Sequence, residues 1–171
     1  NADATQTLTV TLAGFNDAPV VTAADVAGTV LEDASSGGLE SAGGGIGFSD
    51  VDMTDVHAAT AHALGTGYLG TFDAQLVDDS TGGATGTIDW AFGIDDGAIQ
   101  YLAESETLVQ SYALTIDDGH AGGMATQLVS IGIVGTNDAP IAFEDGASVS
   151  EDGALAASGN VLANDTDPDH G

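Results

Sequence analysis

The chain contains 171 residues, of which 27 are Asp or Glu and none is Lys or Arg, so its formal net charge is −27. Because surfaces that bind nucleic acid or anionic lipid carry Lys and Arg, this composition excludes both as partners. Cysteine is absent, which excludes disulfides and thiol chemistry. No apolar run approaches the roughly 20 residues of a membrane helix. The hydrophobic fraction of 43% nevertheless supports a folded core.

The acidic residues indicate a dependence on cations. Asp provides 21 of the carboxylates and Glu provides 6. Two like charges 4 Å apart in water repel by about 1 kcal/mol, whereas a folded domain is stable by only about 5–15 kcal/mol. Carboxylates that cluster without basic partners therefore need an external cation, and Asp oxygens in flexible loops suit Ca²⁺ better than Mg²⁺. The charge alone equally allows a solvated acidic surface, as in proteins adapted to high salt.

The first predicted element in the chain is an alternating strand at residues 8–12, followed by the motif Gly-x-Asn-Asp-Ala-Pro at residues 14–19. The same strand and motif return 121 residues later, at residues 129–140. An internal repeat of this kind indicates tandem units. We therefore divide the chain into the last strand of a preceding unit (1–15), one whole unit (16–136) and the start of a following unit (137–171).

The whole unit is predicted to be an all-β, antiparallel β-sandwich. Apolar residues alternate with others around residues 72–76, 88–94, 112–116 and 129–133, and glycine-rich turns separate these runs. Trp90 lies in such a run and is predicted to be a core residue. We expect a short helical turn within residues 99–108, and we interpret the glycine-rich residues 43–50 as a flexible loop.

Several motifs of the whole unit occur in an order that is similar to a known family. They are Tyr68-Leu69-Gly70-Thr71-Phe72, Gly86-Thr87-Ile88-Asp89-Trp90-Ala91-Phe92, Asp117-Asp118-Gly119-His120 and Gly135-Thr136-Asn137-Asp138-Ala139-Pro140. Together they resemble the VCBS repeat, which forms tandem arrays in very large bacterial surface adhesins of the RTX type. Residues 161–167 resemble the start of a related cadherin-like repeat.

The resemblance implies an immunoglobulin- or cadherin-like sandwich that binds Ca²⁺ between neighbouring units. At the upstream junction it implies ligands from Asn16, Asp17, Asp50 and Asp52. The ligands expected at the downstream junction are Asn137, Asp138, Asp165 and Asp167, joined by Glu32 and by Asp117 or Asp118. The linker lacks two oxygen ligands of the cadherin pattern, so we expect one ion per junction. The alternative interpretation of Asn-Asp-x-Pro is a simple turn.

Other motifs are interpreted without a bound ligand. The pair Asp95-Asp96 before Gly97 is typical of a hairpin turn, and Asp78-Asp79 of an exposed loop. The four histidines are scattered and no cysteine is present, so the sequence does not indicate a zinc site. No arrangement of Ser, His and Asp marks an active site, and no acid/base pair can be singled out among so many carboxylates.

The expected function is that of a Ca²⁺-stiffened extender module in a secreted bacterial adhesin that supports cell adhesion and biofilm formation. Its expected partners are the adjacent repeats of the same chain, and we expect a monomer outside the cell with no enzymatic activity. The alternative is a module that itself binds carbohydrate or a cell-surface ligand, which an exposed aromatic patch would favour. An enzyme acting on polysaccharide would need two carboxylates facing each other across a cleft.

Overall fold

A computed structural model describes residues 5–33, 38–153 and 156–169 of the chain. Within these residues the chain forms eight strands and one short 3-10 helix. The strands are β1 (Val20–Ala24), β2 (Ala27–Leu31), β3 (Leu39–Ser49), β4 (Ala58–Ala63), β5 (Thr71–Asp78), β6 (Gly86–Asp95), β7 (Thr107–Asp117) and β8 (Met124–Val134). The 3-10 helix covers Asp96–Ala98 and follows β6 directly.

The strands form two four-stranded sheets, ordered β1-β3-β6-β5 and β2-β8-β7-β4. This confirms the predicted β-sandwich. Five of the six strand pairs are antiparallel, but β2 runs parallel to β8. The parallel pair arises because β2 crosses to the second sheet directly after β1, so the N-terminal part of the unit contributes a strand to each sheet.

The four strongly alternating runs lie where the sequence predicts strands, namely on β5, β6, β7 and β8. Because side chains on a strand point alternately to opposite faces, every second residue of β6, β7 and β8 reaches the space between the sheets. Trp90 lies there almost fully buried, as predicted, and its Nε1 donates to the Asp25 carbonyl at 2.7 Å. Phe72 stacks on Trp90 and on Tyr112. The burial of these aromatic side chains counts against an aromatic ligand-binding patch.

The glycine-rich segment is a strand, and its interpretation as a loop is wrong. Residues 43–47 belong to β3 and pair in register with β6, with Gly44 directly opposite Trp90. A Cβ at Gly44 would lie 2.7 Å from Cζ2 of Trp90. The glycine therefore makes room for the indole ring, whereas sequence reasoning read the same residues as breaks.

The helical segment begins earlier in the chain than predicted, and a hydrogen-bonded turn from Ile99 to Leu102 continues it into the expected range. The 3-10 helix covers Asp96–Ala98 and ends before residue 99, and the Asp95 side chain caps it by accepting from the Gly97 amide at 2.9 Å. Asp95 and Asp96 thus begin a helix and do not form a hairpin turn. The helix and the turns after it direct Ile99 and Leu102 into the core, where both are fully buried.

The two flanks of the sandwich differ in what they form. No strand occurs in the described residues 5–19, so the predicted strand at 8–12 is not formed here. If the segment 8–12 is the counterpart of β8, the strands that would pair with this segment belong to a preceding unit. After the sandwich, Ile141 and Thr166 form an isolated antiparallel bridge. These residues lie 121 and 117 positions after Val20 and Ser49, which form the first pair between β1 and β3.

Neighbouring glycines of β3 offer a matched test of this strand. We expect Gly44→Ala to lower the free energy of unfolding by about 1–3 kcal/mol, because the new methyl group overpacks against Trp90. Gly45→Ala should leave stability unchanged or slightly higher, because its Cβ would make only ordinary contacts, with Asp89 Oδ1 at 3.5 Å and the Ile88 carbonyl oxygen at 3.9 Å. Urea unfolding of both variants measures the difference. Equal effects of the two substitutions would contradict the strand and its register.

Candidate metal sites at the two ends of the sandwich

The predicted site residues divide between two opposite ends of the sandwich. β7 begins at Thr107, which pairs with Val134, and ends at Asp117, which pairs with Met124. At about 3.3 Å per residue, its eleven residues separate these ends by roughly 33 Å. We call the end that holds Asp117 the upstream end, and the end that holds Val134 the downstream end.

Asp118 belongs to the upstream end, so its assignment to the downstream junction with Glu32 is wrong. Asn16 Nδ2 donates to Asp118 Oδ2 at 3.0 Å. Glu32 lies at the other end, where its backbone amide donates to the Val134 carbonyl. The sequence could not separate these residues, because the strand directions that place them are set by the pairing of distant segments.

The upstream end brings the linker and the Asp-x-Asp motif together. The Asp17 amide donates to Asp52 Oδ2 at 2.6 Å, and the Asp52 amide donates to Asp50 Oδ1 at 2.8 Å. Asn16 uses its side-chain amide as a donor, both to Asp118 and to the Asp17 carbonyl. Predicted ligands from the linker and from the turn after β3 therefore lie together, with Asn16 acting as a hydrogen-bond donor.

A buried histidine satisfies part of this acidic group. His57 Nε2 lies 3.1 Å from Asp50 Oδ2, and its Nδ1 lies 2.7 Å from Asp79 Oδ1. Burial alone would lower the pKa of His57, but the hydrogen bonds and charges of Asp79 and Asp50 outweigh burial and raise it. Burial alone would raise the pKa of Asp79, but the hydrogen bonds from His57 outweigh burial and lower it. Both ring nitrogens face carboxylate oxygens, and only the protonated ring can donate to both, so the geometry favours His57 as a cation. Asp79 was predicted to lie in an exposed loop, yet it serves as this histidine's partner.

Two further residues of the upstream end were missed by sequence reasoning. Asp55, Asp118 and His120 offer ligand atoms within 4.8 Å of one another, and so do Asp50, Asp52 and Asp55. Asp55 lies in the turn after β3, where its amide donates to the Asp52 carbonyl at 3.0 Å. Its three-residue spacing from Asp52 was the available signal. His120 lies in the β7–β8 hairpin, whose Asp117 caps the turn by accepting from the Gly119 amide.

The downstream end holds a buried carboxylate that receives few donors. Glu32 is 1% exposed, and its Oε2 accepts from the Thr136 amide at 2.7 Å. Gln100 Nε2 lies within 3.5 Å of carboxylate oxygens of Glu32, Asp33 and Asp96. One neutral amide thus faces three carboxylates, contributed by the end of β2 and by the 3-10 helix.

The linker and the segment after it add three more carboxylates. The Asp138 amide donates to Asp169 Oδ2 at 3.1 Å, and the Asp169 amide donates to Asp167 Oδ1 at 3.1 Å. This repeats the hydrogen bonds from Asp17 to Asp52 and from Asp52 to Asp50.

The counterpart of the Asp50–Asp52 pair is therefore Asp167 with Asp169, and the predicted alignment with Asp165 and Asp167 is wrong by two residues. Asp165 instead accepts from the Phe143 amide at 2.9 Å. Asn137, like Asn16, donates its side-chain amide to the next carbonyl, that of Asp138.

We define the downstream cluster by six carboxylates whose charges act on Glu32 or Asp138 here: Glu32, Asp33, Asp96, Asp138, Asp167 and Asp169. Burial, followed by the charges of neighbouring carboxylates, raises the pKa of Asp138. Burial also raises the pKa of Glu32, with smaller contributions from Asp138, Asp33 and Asp96, although the Thr136 amide opposes the shift. Asp138 Oδ2 and Asp169 Oδ1 are buried and accept no hydrogen bond. Unsatisfied carboxylate oxygens of this kind fit a hard cation with oxygen ligands.

The chain resembles known proteins only through distant structural likeness. No family model matches the chain, and no curated protein matches it. Among solved structures, the N-terminal domain of PorA is 11% identical with a TM-score of 0.40, covering 68% of this chain and 96% of that one. Zebrafish RET cadherin-like domains 1 to 4 are 14% identical with a TM-score of 0.39, covering 71% of this chain and 27% of that one. AggA, the major subunit of Escherichia coli aggregative adherence fimbriae type I, is 14% identical with a TM-score of 0.38, covering 71% and 98%.

Within the described residues, no helix has the length and apolar character needed to cross a membrane.

The shifted pKa values predict an unusual pH dependence for the metal-free protein. Raised pKa values mean that the folded state holds protons on Glu32, Asp138 and His57 more tightly than the unfolded state does. Stability should therefore rise as the pH falls from neutral towards the ordinary carboxylate values of 4.5 and 3.8. Below that range it should fall, because Asp79 and Asp118 have lowered pKa values and must then be protonated.

Thermal melting in chelator between pH 8 and pH 3 measures this dependence. We expect a maximum in mild acid, and we expect added Ca²⁺ to move the maximum towards neutral pH. If the melting temperature in chelator is already highest at neutral pH, this result would contradict the raised pKa values assigned to the cluster.

Proposed function

We propose that the chain is a Ca²⁺-binding structural extender module of a secreted bacterial surface adhesin, stiffened by ions between its sandwich and the neighbouring units. The observation that carries the proposal is the downstream cluster. Three of its carboxylates come from the sandwich (Glu32, Asp33 and Asp96), and three come from the linker and the segment beyond it (Asp138, Asp167 and Asp169). An ion held by both groups would cross-link the sandwich to the segment that follows.

The chemistry of the cluster favours Ca²⁺ among common cations. Its charged groups are carboxylates alone, and Ca²⁺ accepts six to eight oxygen ligands at 2.3–2.6 Å in flexible geometry, as a rule. Mg²⁺ retains several waters and demands octahedral geometry, which a crowded set of carboxylates from four chain segments does not offer. The chain provides no Lys or Arg that could take the place of the ion.

The proposal also explains why such a chain would work outside the cell. Where Ca²⁺ is scarce, repulsion among the carboxylates disfavours the folded state. Where Ca²⁺ is abundant, its binding free energy becomes folding free energy. The VCBS resemblance supports export by type I secretion and a role in surface attachment and biofilms. In such an array the module's partners are the adjacent repeats of its own chain, and the array projects a separate binding domain.

Two orphaned oxygens of the cluster provide the test. We expect saturating Ca²⁺ at 100 times its Kd to stabilise the native chain by about 2.7 kcal/mol, or roughly 5–11 °C in melting temperature. The double variant Asp138→Asn/Asp169→Asn should lose most of this gain, because it removes two of the six charges. Without metal, the melting temperature of the double variant should equal or exceed that of the native chain, because the substitutions also remove repulsion between carboxylates.

Asp73→Asn/Asp145→Asn is the matched control, since it removes the same charge from exposed positions outside the cluster. Differential scanning calorimetry in Ca²⁺ and in chelator compares the three proteins. Equal Ca²⁺-dependent gains in the two double variants would contradict the proposed site.

A further inference from the structure

Asp55 is a buried carboxylate whose role the fold does not explain. The residue is 7% exposed, its Oδ2 is inaccessible to solvent, and that oxygen accepts no hydrogen bond. Burying a carboxylate oxygen that accepts no hydrogen bond is costly, because the charge loses its hydration. A buried carboxylate oxygen without a hydrogen bond at this position indicates room for a bound cation.

The atoms nearest to this oxygen have the spacing of a metal site. His120 Nδ1 lies 3.5 Å from Asp55 Oδ2 and 3.6 Å from Asp118 Oδ1. Ligand atoms held tetrahedrally at about 2.0–2.2 Å from Zn²⁺ lie roughly 3.3–3.6 Å apart. Asp118 is 3% exposed and fixed by the Asn16 amide and by the His120 backbone amide, so its Oδ1 is already aimed at this point.

The site is open to solutes on one side. A pocket of about 270 Å³ reaches it between the linker and the turn after β3, and Asp52, Asp55 and His120 form part of its wall. The His120 side chain is 56% exposed, whereas Asp118 is buried beneath it. An ion could therefore enter from the pocket. Asp52 is grouped with Asp50 and Asp55 and not with Asp118 and His120, so the fourth position of the ion would be left to solvent.

We propose that Asp55, Asp118 and His120 form a site for a first-row transition-metal dication, of which Zn²⁺ is the probe, distinct from the oxygen-only cluster at the downstream end. Ca²⁺ prefers oxygen ligands, whereas an imidazole nitrogen beside two carboxylates suits Zn²⁺ and its neighbours. No zinc site is visible in the sequence, because the ligands come from two turns that are more than 60 residues apart. The proposal does not depend on Ca²⁺ binding at the other end.

The experiment titrates tag-free full-length chain with Zn²⁺ by calorimetry in a large excess of Ca²⁺, so that oxygen-only sites are filled beforehand. We expect one Zn²⁺ to bind, and we expect His120→Ala to weaken its binding by at least about tenfold, as loss of a ligand should. His62→Ala, which removes an exposed imidazole from β4, is the control and should bind as the native chain does.

Asp55→Asn should weaken Zn²⁺ binding similarly, and circular dichroism shows whether it folds. If it does not fold, His120→Ala still decides the question, because that side chain is exposed and the hydrogen bond to Asp118 comes from its backbone. Co²⁺ added in place of Zn²⁺ should give the visible absorption of a four-coordinate site, lost in His120→Ala. Absence of Zn²⁺ binding in Ca²⁺, or equal binding by His120→Ala and the native chain, would overturn the proposal; the former result would leave His120 and Asp55 as an ion pair only.

Discussion

Every buried carboxylate in this protein must be neutralised without the help of Lys or Arg, and this constraint organises the structure. The chain answers it in three ways. His57 supplies a cation between Asp50 and Asp79. Backbone amides satisfy single oxygens, as the Thr136 amide does for Glu32. Where neither is available, oxygens remain unsatisfied, and these lie at the two ends of the sandwich.

The position of the unsatisfied oxygens connects the charge problem to the architecture. Between the ends, the two sheets bury an ordinary apolar core around Trp90. Among the described residues of the strands, the carboxylates are exposed or lie near strand termini. At the downstream end, Asp138 lies in the linker after β8 and its amide donates to Asp169, so neutralising it would affect how the next segment is held. The hydrogen bonds between Asp138, Asp169 and Asp167 copy those between Asp17, Asp52 and Asp50, which indicates one design used at successive junctions. Neutralising a junction would therefore make the joint stiff as well as stable.

The strands of the core could be predicted from the sequence, because two-residue alternation directly reflects which side chains are buried. β6 and β7 show this most clearly. The failures have physical causes. The sequence predicts a loop at Gly44, whereas the structure has a strand. A glycine is needed there because the indole ring of Trp90 packs against it from the paired strand, and the sequence does not display that contact. A glycine that makes room for a neighbouring side chain and a glycine that breaks a strand cannot be distinguished in the amino-acid sequence alone.

The candidate sites were predictable only in part, for a related reason. Linker residues such as Asp17 and Asp138 were found because the repeat displays them twice. Asp96 was dismissed as a turn residue, and Asp55 and Asp169 were not selected, because their neighbours are contributed by distant segments. The two-residue error at Asp165 arose because the repeat tolerates length changes, so only the hydrogen bonds fix the true correspondence.

The most direct measurement is the free energy of unfolding as a function of free Ca²⁺ concentration, compared with NaCl at matched ionic strength. If specific ions neutralise the ends of the sandwich, the free energy should rise with the logarithm of the Ca²⁺ concentration above Kd, as linkage requires, and NaCl should not reproduce the rise. An equal gain in NaCl would show that general screening of charge is sufficient, and would contradict the account.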